Sequence, residues 1–208
     1  MNDNKLLFLK GVGKDYTDNP IFNNAHKKII AEYKPPTSGK IALFTVCSWG
    51  KPYRQSYIHY FILRSLINSN LLDKLQLIVV TNAGVVPYER TDDYPYFAYD
   101  WDPILETPEI KKIYIEVLTK RLNEFLKNKK KYYSTFCCYL RHQSESYQSI
   151  RKAEKDLKLE IPNFAIHENK IMQTEISQVS LDFYEDHDLV LIIKRNLDNL
   201  VNRLKEII

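Results

Sequence analysis

The sequence is poor in cysteine, glycine, methionine and tryptophan: its 208 residues hold 3, 5, 2 and 2 of these. Three cysteines, two of them adjacent (Cys137 and Cys138), do not make a disulfide framework. The expectation is a reducing, cytoplasmic environment. No Cys-x2-Cys and no His-x3-His pair occurs, so no zinc-type site is expected, and neither a metal nor a cofactor is assigned. The apolar runs fall far short of a membrane span, and Met1-Asn-Asp-Asn-Lys5 does not open a signal peptide. No membrane association is therefore expected. Internal repeats and low-complexity tracts are also lacking, which excludes solenoid architectures. Net charge is only +4, too small to indicate nucleic-acid binding by itself.

What is present is enough apolar material for a core: 44% hydrophobic and 12% aromatic residues. The length suits one domain, or one domain with an appendage. Lys40-Ile-Ala-Leu-Phe-Thr-Val46 and Leu75-Gln-Leu-Ile-Val-Val80 are continuous apolar runs of strand length. Leu6-Leu-Phe-Leu9, Tyr96-Phe-Ala-Tyr99 and Asn163-Phe-Ala-Ile-His167 read as shorter extended pieces. Lys131-Tyr-Tyr-Ser-Thr-Phe-Cys-Cys-Tyr-Leu140 is β-branched and aromatic enough for an interior strand. Between the strands lie helices. Asn19-Pro20 caps and opens one, and Pro35-Pro36 closes it. Ser56 caps a second, Pro108 opens a long third, and a fourth runs from about Ser144 to Leu157. Leu189, Ile192, Ile193, Leu197, Leu200, Leu204 and Ile207 recur at helical spacing and predict a C-terminal amphipathic helix packed on the core. Alternating strands and helices predict an α/β fold with a mainly parallel sheet in three layers.

The chemistry gathers in Cys47-Ser-Trp-Gly-Lys51-Pro52-Tyr53-Arg54-Gln-Ser56-Tyr-Ile-His59, the strand-to-helix turn after the first long strand. Ligands of open α/β sheets bind at the carboxyl ends of strands. Cys47, beside a lysine and a helix N-terminus, is expected to have a lowered pKa, unless it is only a small apolar residue. Ser56 and His59 share a helix face in the first turn, where anions are favoured. His59 is a candidate general base or anion contact, or it simply packs. Lys51 and Arg54 are candidate phosphate or carboxylate contacts, or exposed cations. Tyr53 is a candidate ring for stacking.

Thr81-Asn82-Ala83-Gly84-Val-Val-Pro87-Tyr88-Glu89 follows the next strand and is expected at the same end of the sheet. Gly84 allows close backbone approach there, and Glu89 would meet an amine. Asp100 is a loop cap or a substrate contact. Lys111, Lys112, Lys120, Arg121, Lys127, Lys129, Lys130 and Lys131 form a basic segment, either a solvated helix face or a phosphate-tracking patch.

The pattern Cys47-x3-Lys51-Pro52-Tyr53-x2-Ser56-x2-His59 resembles the signature of archaeosine synthase, an archaeal tRNA-modifying family related to tRNA-guanine transglycosylase. The likeness extends to Asn19-Pro20…His26…Tyr33-Lys-Pro-Pro36, to Val80-Thr81-x2-Gly84-x-Val86-Pro87-x-Glu89, and to Tyr94-Pro95…Tyr99-Asp100. It covers roughly residues 19–160. Val46 stands where the family usually has proline.

The resemblance implies a core domain standing alone, without the transglycosylase-like barrel or the C-terminal RNA-binding domain. The corresponding division is an N-terminal extension (1–18), the core (19–160) and a C-terminal extension (161–208). It implies a uracil-DNA-glycosylase-like three-layer α/β/α sandwich. It also implies a transferase that joins lysine to the nitrile of 7-cyano-7-deazaguanine in tRNA, with a radical S-adenosylmethionine enzyme and a transglycosylase-like subunit as partners.

In this scheme Cys47 attacks the nitrile and His59 shuttles the proton. Lys51 and the helix N-terminus at Ser56 hold an anionic group. Tyr53 stacks on the base, Glu89 takes the incoming ammonium, and Gly84, Pro87 and Asp100 line the pocket. Arg54, Lys127, Lys129, Lys130 and Lys131 are the RNA contacts. The competing readings are a non-catalytic tRNA- or partner-binding subunit, a glycosylase-like deazaguanine binder, and a thiol hydrolase.

Overall fold

The structure, a computed structural model, describes residues 6–181 and 186–208. The Met1–Lys5 stretch that the signal-peptide expectation concerns lies outside the described residues. The elements in chain order are β1 (Leu9–Gly11), α1 (Lys14–Thr17), α2 (Pro20–Glu32), β2 (Lys40–Val46), α3 (Tyr57–Asn68), β3 (Leu75–Thr81), β4 (Gly84–Pro87), β5 (Tyr99–Trp101), α4 (Pro108–Lys129), β6 (Tyr133–Tyr139), α5 (Glu145–Leu157), α6 (Gln173–Ser177) and α7 (Lys194–Lys205).

The fold is α/β with a mixed, mostly parallel sheet. Its four strands lie in the order β4-β3-β2-β6. β2 runs parallel to both β3 and β6, and β4 returns antiparallel to β3 at one edge. The extended piece at Asn163 is a single parallel bridge to Cys138, tied by Cys138 N–H to the Pro162 carbonyl at 2.9 Å. β1 and β5 pair in parallel as a separate two-stranded ribbon. The expected strand at Leu6–Leu9 thus begins only at Leu9, and the one at Tyr96–Tyr99 begins at Tyr99.

Local chemistry sets the helix starts. Asn19 accepts from the Ile21 N–H at 2.9 Å, Ser56 from His59 N–H at 3.3 Å, Thr107 from Ile110 N–H at 3.3 Å and Ser144 from Tyr147 N–H at 3.2 Å. Each satisfies an N–H that the first helical turn leaves unpaired. α2 and α4 add proline at the first helical position, where a missing N–H costs nothing.

Both faces of the sheet are covered. Phe44 meets Phe125 of α4 edge-on, with ring centroids 6.4 Å apart. Tyr139, of the opposite parity, donates its hydroxyl to the Leu191 carbonyl at 2.6 Å. One buried cluster takes in residues from Leu9 to Leu204, including Ile161, Phe164, Leu189–Ile192 and Leu200.

The C-terminal helix is shorter than its pattern predicts. Residues Leu189 to Ile193 are all buried. Five consecutive apolar residues cannot lie on one helix face, so most of this stretch folds as a tight 3-10 turn (His187–Leu191) and α7 starts at Lys194. Ile207 lies past the helix end and is exposed. Among the described residues no helix is long and apolar enough to cross a membrane.

Candidate functional site

β2 delivers Cys47 directly past its last paired residue, Val46. The backbone then turns through Ser48–Lys51, and Tyr53–Gln55 form a single 3-10 turn before Ser56 caps α3. The Lys51–Pro52 peptide is cis. Lys51 folds back over the turn. Its Nζ donates to the carbonyls of Ser48 (3.3 Å) and Trp49 (3.5 Å) and lies 4.2 Å from the centroid of the Tyr99 ring. The Asp100 carboxylate, one residue beyond Tyr99 on β5, acts electrostatically on the same ammonium. Cys47, Lys51, Tyr99 and Asp100 therefore come together from two separate chain segments.

The electrostatics of Cys47 reverse the sequence expectation. Burial pushes its thiol up to about 12; the nearby Lys51 lowers it and the carboxylates of Asp188 and Asp186 raise it further. Desolvation of a thiolate outweighs one partly buried ammonium. Lys51 moves down from the ordinary lysine value because it too is desolvated, with Cys47 and Asp100 opposing that shift. The resting pair is thus a protonated thiol beside an amine that gives up its proton more readily than usual.

Two groups that sequence reasoning missed complete this end of the sheet. Thr45 pairs with Tyr139, so Cys47 and Arg141 leave adjacent strands at the same height. Arg141 Nε donates to Asp188 Oδ1 at 2.7 Å, and both side chains are mostly buried. Burial raises the Asp188 carboxyl to about 6, although Arg141 opposes the shift. No local motif marks this pair. It depends on the C-terminal turn reaching back over β6.

Several expected site residues are absorbed by the fold. Tyr53 is fully buried: its hydroxyl lies 2.5 Å from that of Tyr99, which donates to Thr81 Oγ1 at 2.7 Å. It supports Tyr99 from beneath and offers no face to a base. Ser56 is spent as the α3 cap. His59 is 1% exposed, and its ring lies 2.9 Å from the Val46 carbonyl through Nε2. A carbonyl only accepts, so Nε2 carries the proton and Nδ1 is a lone pair with no partner among the described residues. Burial lowers this imidazole to about 4, with the Val46 contact opposing. His59 therefore pins the end of β2 between the rings of Tyr53 and Tyr88, in place of shuttling protons at Cys47.

Gly84 stays at this end of the sheet, whereas a return strand, β4, carries Pro87 and Glu89 away from it. Thr81 pairs with Gly84 across a tight hairpin, and β4 runs back down β3 to pair Pro87 with Ile78. Gly84 has φ 146°, and an added Cβ would stand 3.9 Å from Arg121 Cδ. It serves the hairpin and packs on α4. Glu89 ends against Gln76, which donates to it at 2.6 Å, and Tyr33 donates its hydroxyl at 2.5 Å. Gln76 lies four residues below Val80, the partner of Val46, which places Glu89 about 13 Å down the sheet from the Cys47 turn. Glu89 is a structural acceptor at the opposite end. Glu89→Ala is expected to orphan two donors, cost about 1–3 kcal/mol and lower the melting temperature by about 3–8 °C, read by circular dichroism.

The basic segment divides in the same way. Lys129 is 4% exposed and donates to the carbonyls of Ile30 and Tyr33, each at 2.7 Å. Arg121 is 3% exposed and donates to the Thr17 carbonyl at 2.6 Å and to Asn23 Oδ1 at 3.0 Å. Neither is available to RNA. Lys127, Lys130 and Lys131 are exposed, but they precede β6, whose first residue pairs with Lys40. That is the amino end of β2, about 20 Å below Cys47. Arg54 stays at the site, half exposed and loosely paired with Asp92 at 3.3 Å.

A surface groove of about 440 Å³ lies elsewhere, between α4 and α5, and its mixed-charge lining includes Lys127, Glu124 and Asp156. The Cys47 turn, by contrast, brings a thiol, an amine and a carboxylate together. Among the described residues, no group of three or more His, Cys, Asp or Glu is arranged to hold a metal ion.

No curated protein matches the sequence. The crystal structure of AF0587, a protein of unknown function, is similar in fold, with a TM-score of 0.53 at 12% identity. The similarity covers 86% of this chain and 49% of that one, so this chain spans about half the length of its structural neighbour. A model of the family described as "Domain of unknown function (DUF5591)" matches residues 23–182, from α2 through the Cys47 turn and the whole four-stranded sheet, and the chain belongs to that family.

Proposed function

We propose that this protein is a transferase that joins an amine, with lysine as the donor, to the nitrile of 7-cyano-7-deazaguanine in tRNA. The observation that carries the reading is the convergence of the Cys47 thiol, the Lys51 amine and the Asp100 carboxylate at the carboxyl end of β2. In our reading the two covered sheet faces make a three-layer α/β/α sandwich of the uracil-DNA-glycosylase kind, and that end of its sheet holds the base. The protein would act in the cytoplasm, beside a transglycosylase-like subunit and a radical S-adenosylmethionine enzyme.

The chemistry follows from the resting state of the pair. Lys51, as the neutral amine, takes the proton of the Cys47 thiol, and the thiolate adds to the nitrile carbon. The Lys51 ammonium returns that proton to the nitrile nitrogen, giving a neutral thioimidate. The donor amine then attacks the same carbon, the C–S bond breaks, and the departing thiolate regains a proton from the attacking nitrogen through Lys51. The product is an N-substituted amidine, the enzyme is unchanged, and no redox step occurs. Asp100 holds the Lys51 ammonium formed midway.

A second reading, a base-binding module without chemistry, is favoured by the protonated state of the Cys47 thiol. Mass spectrometry of tRNA carrying 7-cyano-7-deazaguanine, incubated with the protein and lysine, separates the two. A product heavier by one lysine is the expected result. Binding of that tRNA with no mass change would overturn the transferase reading in favour of the module.

A further inference from the structure

With Tyr53 sealed inside the fold, the site lacks the ring on which a flat base was expected to rest. We propose that Trp49 is that platform, and that the reacting base of the RNA stacks on its indole face while the polar floor of Lys51 and Asp100 meets the base edge. This inference rests on the reading of the turn as a nucleobase site. Trp49 is 69% exposed, more than any other aromatic residue among those described, although it sits two residues from both Cys47 and Lys51. Its indole has no ring contact and no hydrogen bond among the described residues. An indole bare beside the Cys47–Lys51 turn offers a flat apolar face to a ligand bound there.

The backbone beneath the indole is fixed. Ser48 is buried, and the carbonyls of Ser48 and Trp49 both accept from Lys51. Gly50 lies against the α3 cap, where an added Cβ would meet Ser56 Cβ at 3.4 Å, an ordinary contact. A ring held on a rigid turn loses little freedom when a base settles on it. Ile104, 89% exposed, follows four residues after Asp100 in a short turn that Asp102 caps. Arg54, five residues on in the same turn, is held by Asp92 in a half-exposed pair, which exchanges readily for a phosphate. Aromatic faces combined with nearby cations are the usual means of holding an unpaired base.

The test uses the full chain and a short single-stranded RNA carrying one 7-cyano-7-deazaguanosine. Binding is expected to quench the red-shifted emission of Trp49, and the quench is expected to vanish in Trp49→Phe. Trp49→Ala is expected to weaken binding about 5- to 100-fold, with Trp49→Phe recovering most of the loss. Because the indole is exposed, both variants should melt with the wild type, which a thermal scan verifies. Equal quenching by a matched guanosine strand would still support the platform and place nitrile recognition in the floor. Unchanged affinity of Trp49→Ala together with unquenched emission would overturn it. Lysine transfer that persists in such a variant would leave the proposed function standing, whereas quenching without any transfer by the wild type would sink the function and leave the platform.

Discussion

Replacing Cys47 with alanine is expected to reduce lysine transfer on the order of a thousandfold or more, with the melting temperature nearly unchanged. The chemical effect is large because the proposed covalent route runs through that sulfur. The structural effect is small because the Cys47 side chain is short and only half-buried. The pH profile gives a sharper form of the same prediction. The competent pair holds one proton between Cys47 and Lys51. At low pH it holds two, as thiol and ammonium, so the rate rises with pH as Lys51 deprotonates. Desolvation lowers Lys51, so the midpoint of that limb should fall below the ordinary lysine value of 10.5. Lys51→Met should remove the limb along with most of the rate. If Cys47→Ala retained turnover within a factor of a few, the thioimidate would be wrong and the amine would be adding directly to a bound nitrile.

What the sequence made legible was local. Asn19-Pro20, Ser56 and Pro108 are read correctly because a cap is a contact between residues two or three apart. The long strands at β2, β3 and β6 announce themselves as short apolar runs. The failures at the site involve chain reversals or distant partners. Asn82-Ala83-Gly84 carries turn chemistry and Val85-Val86 is β-branched, so the β3–β4 hairpin had a signal. With Pro87 and Pro95 in it, the stretch reads as one long loop, although Pro87 pairs at the edge of the sheet where no donor is needed. That one misreading carried Glu89 to the wrong end. Arg121 and Lys129 also had a signal. They fall three after Leu118 and four after Phe125, on the buried stripe of α4. Their long side chains reach carbonyls that the loops leave open, and charge alone made them look like surface. The Arg141–Asp188 pair and the β1–β5 ribbon rest on contacts 47 and about 90 residues apart, for which no window on the sequence suffices.

Acid is expected to unfold the protein through His59. Its folded value of about 4 lies below the ordinary 6.5, so the native state refuses a proton that the unfolded chain accepts. The stability this provides is complete above 6.5 and is lost as pH falls toward 4. It amounts to roughly 3 kcal/mol, from 1.36 kcal/mol per unit. Buried His26 shifts downward as well and adds to the loss in the same direction. Asp188, raised to about 6, works the other way and favours the fold as pH drops below that value. Urea titrations at pH 7 and 4.5 on wild type and His59→Gln measure the contribution of His59 alone. The variant keeps an N–H for the Val46 carbonyl and has nothing to titrate, so its stability should fall less steeply. Parallel stability curves for the two proteins would show that His59 does not control the acid limit. The contact at stake also fixes Val46, the residue before Cys47. An imidazolium driven out from between Tyr53 and Tyr88 frees the end of β2, so the transfer activity that remains below the Lys51 limb should be lost in acid together with the fold.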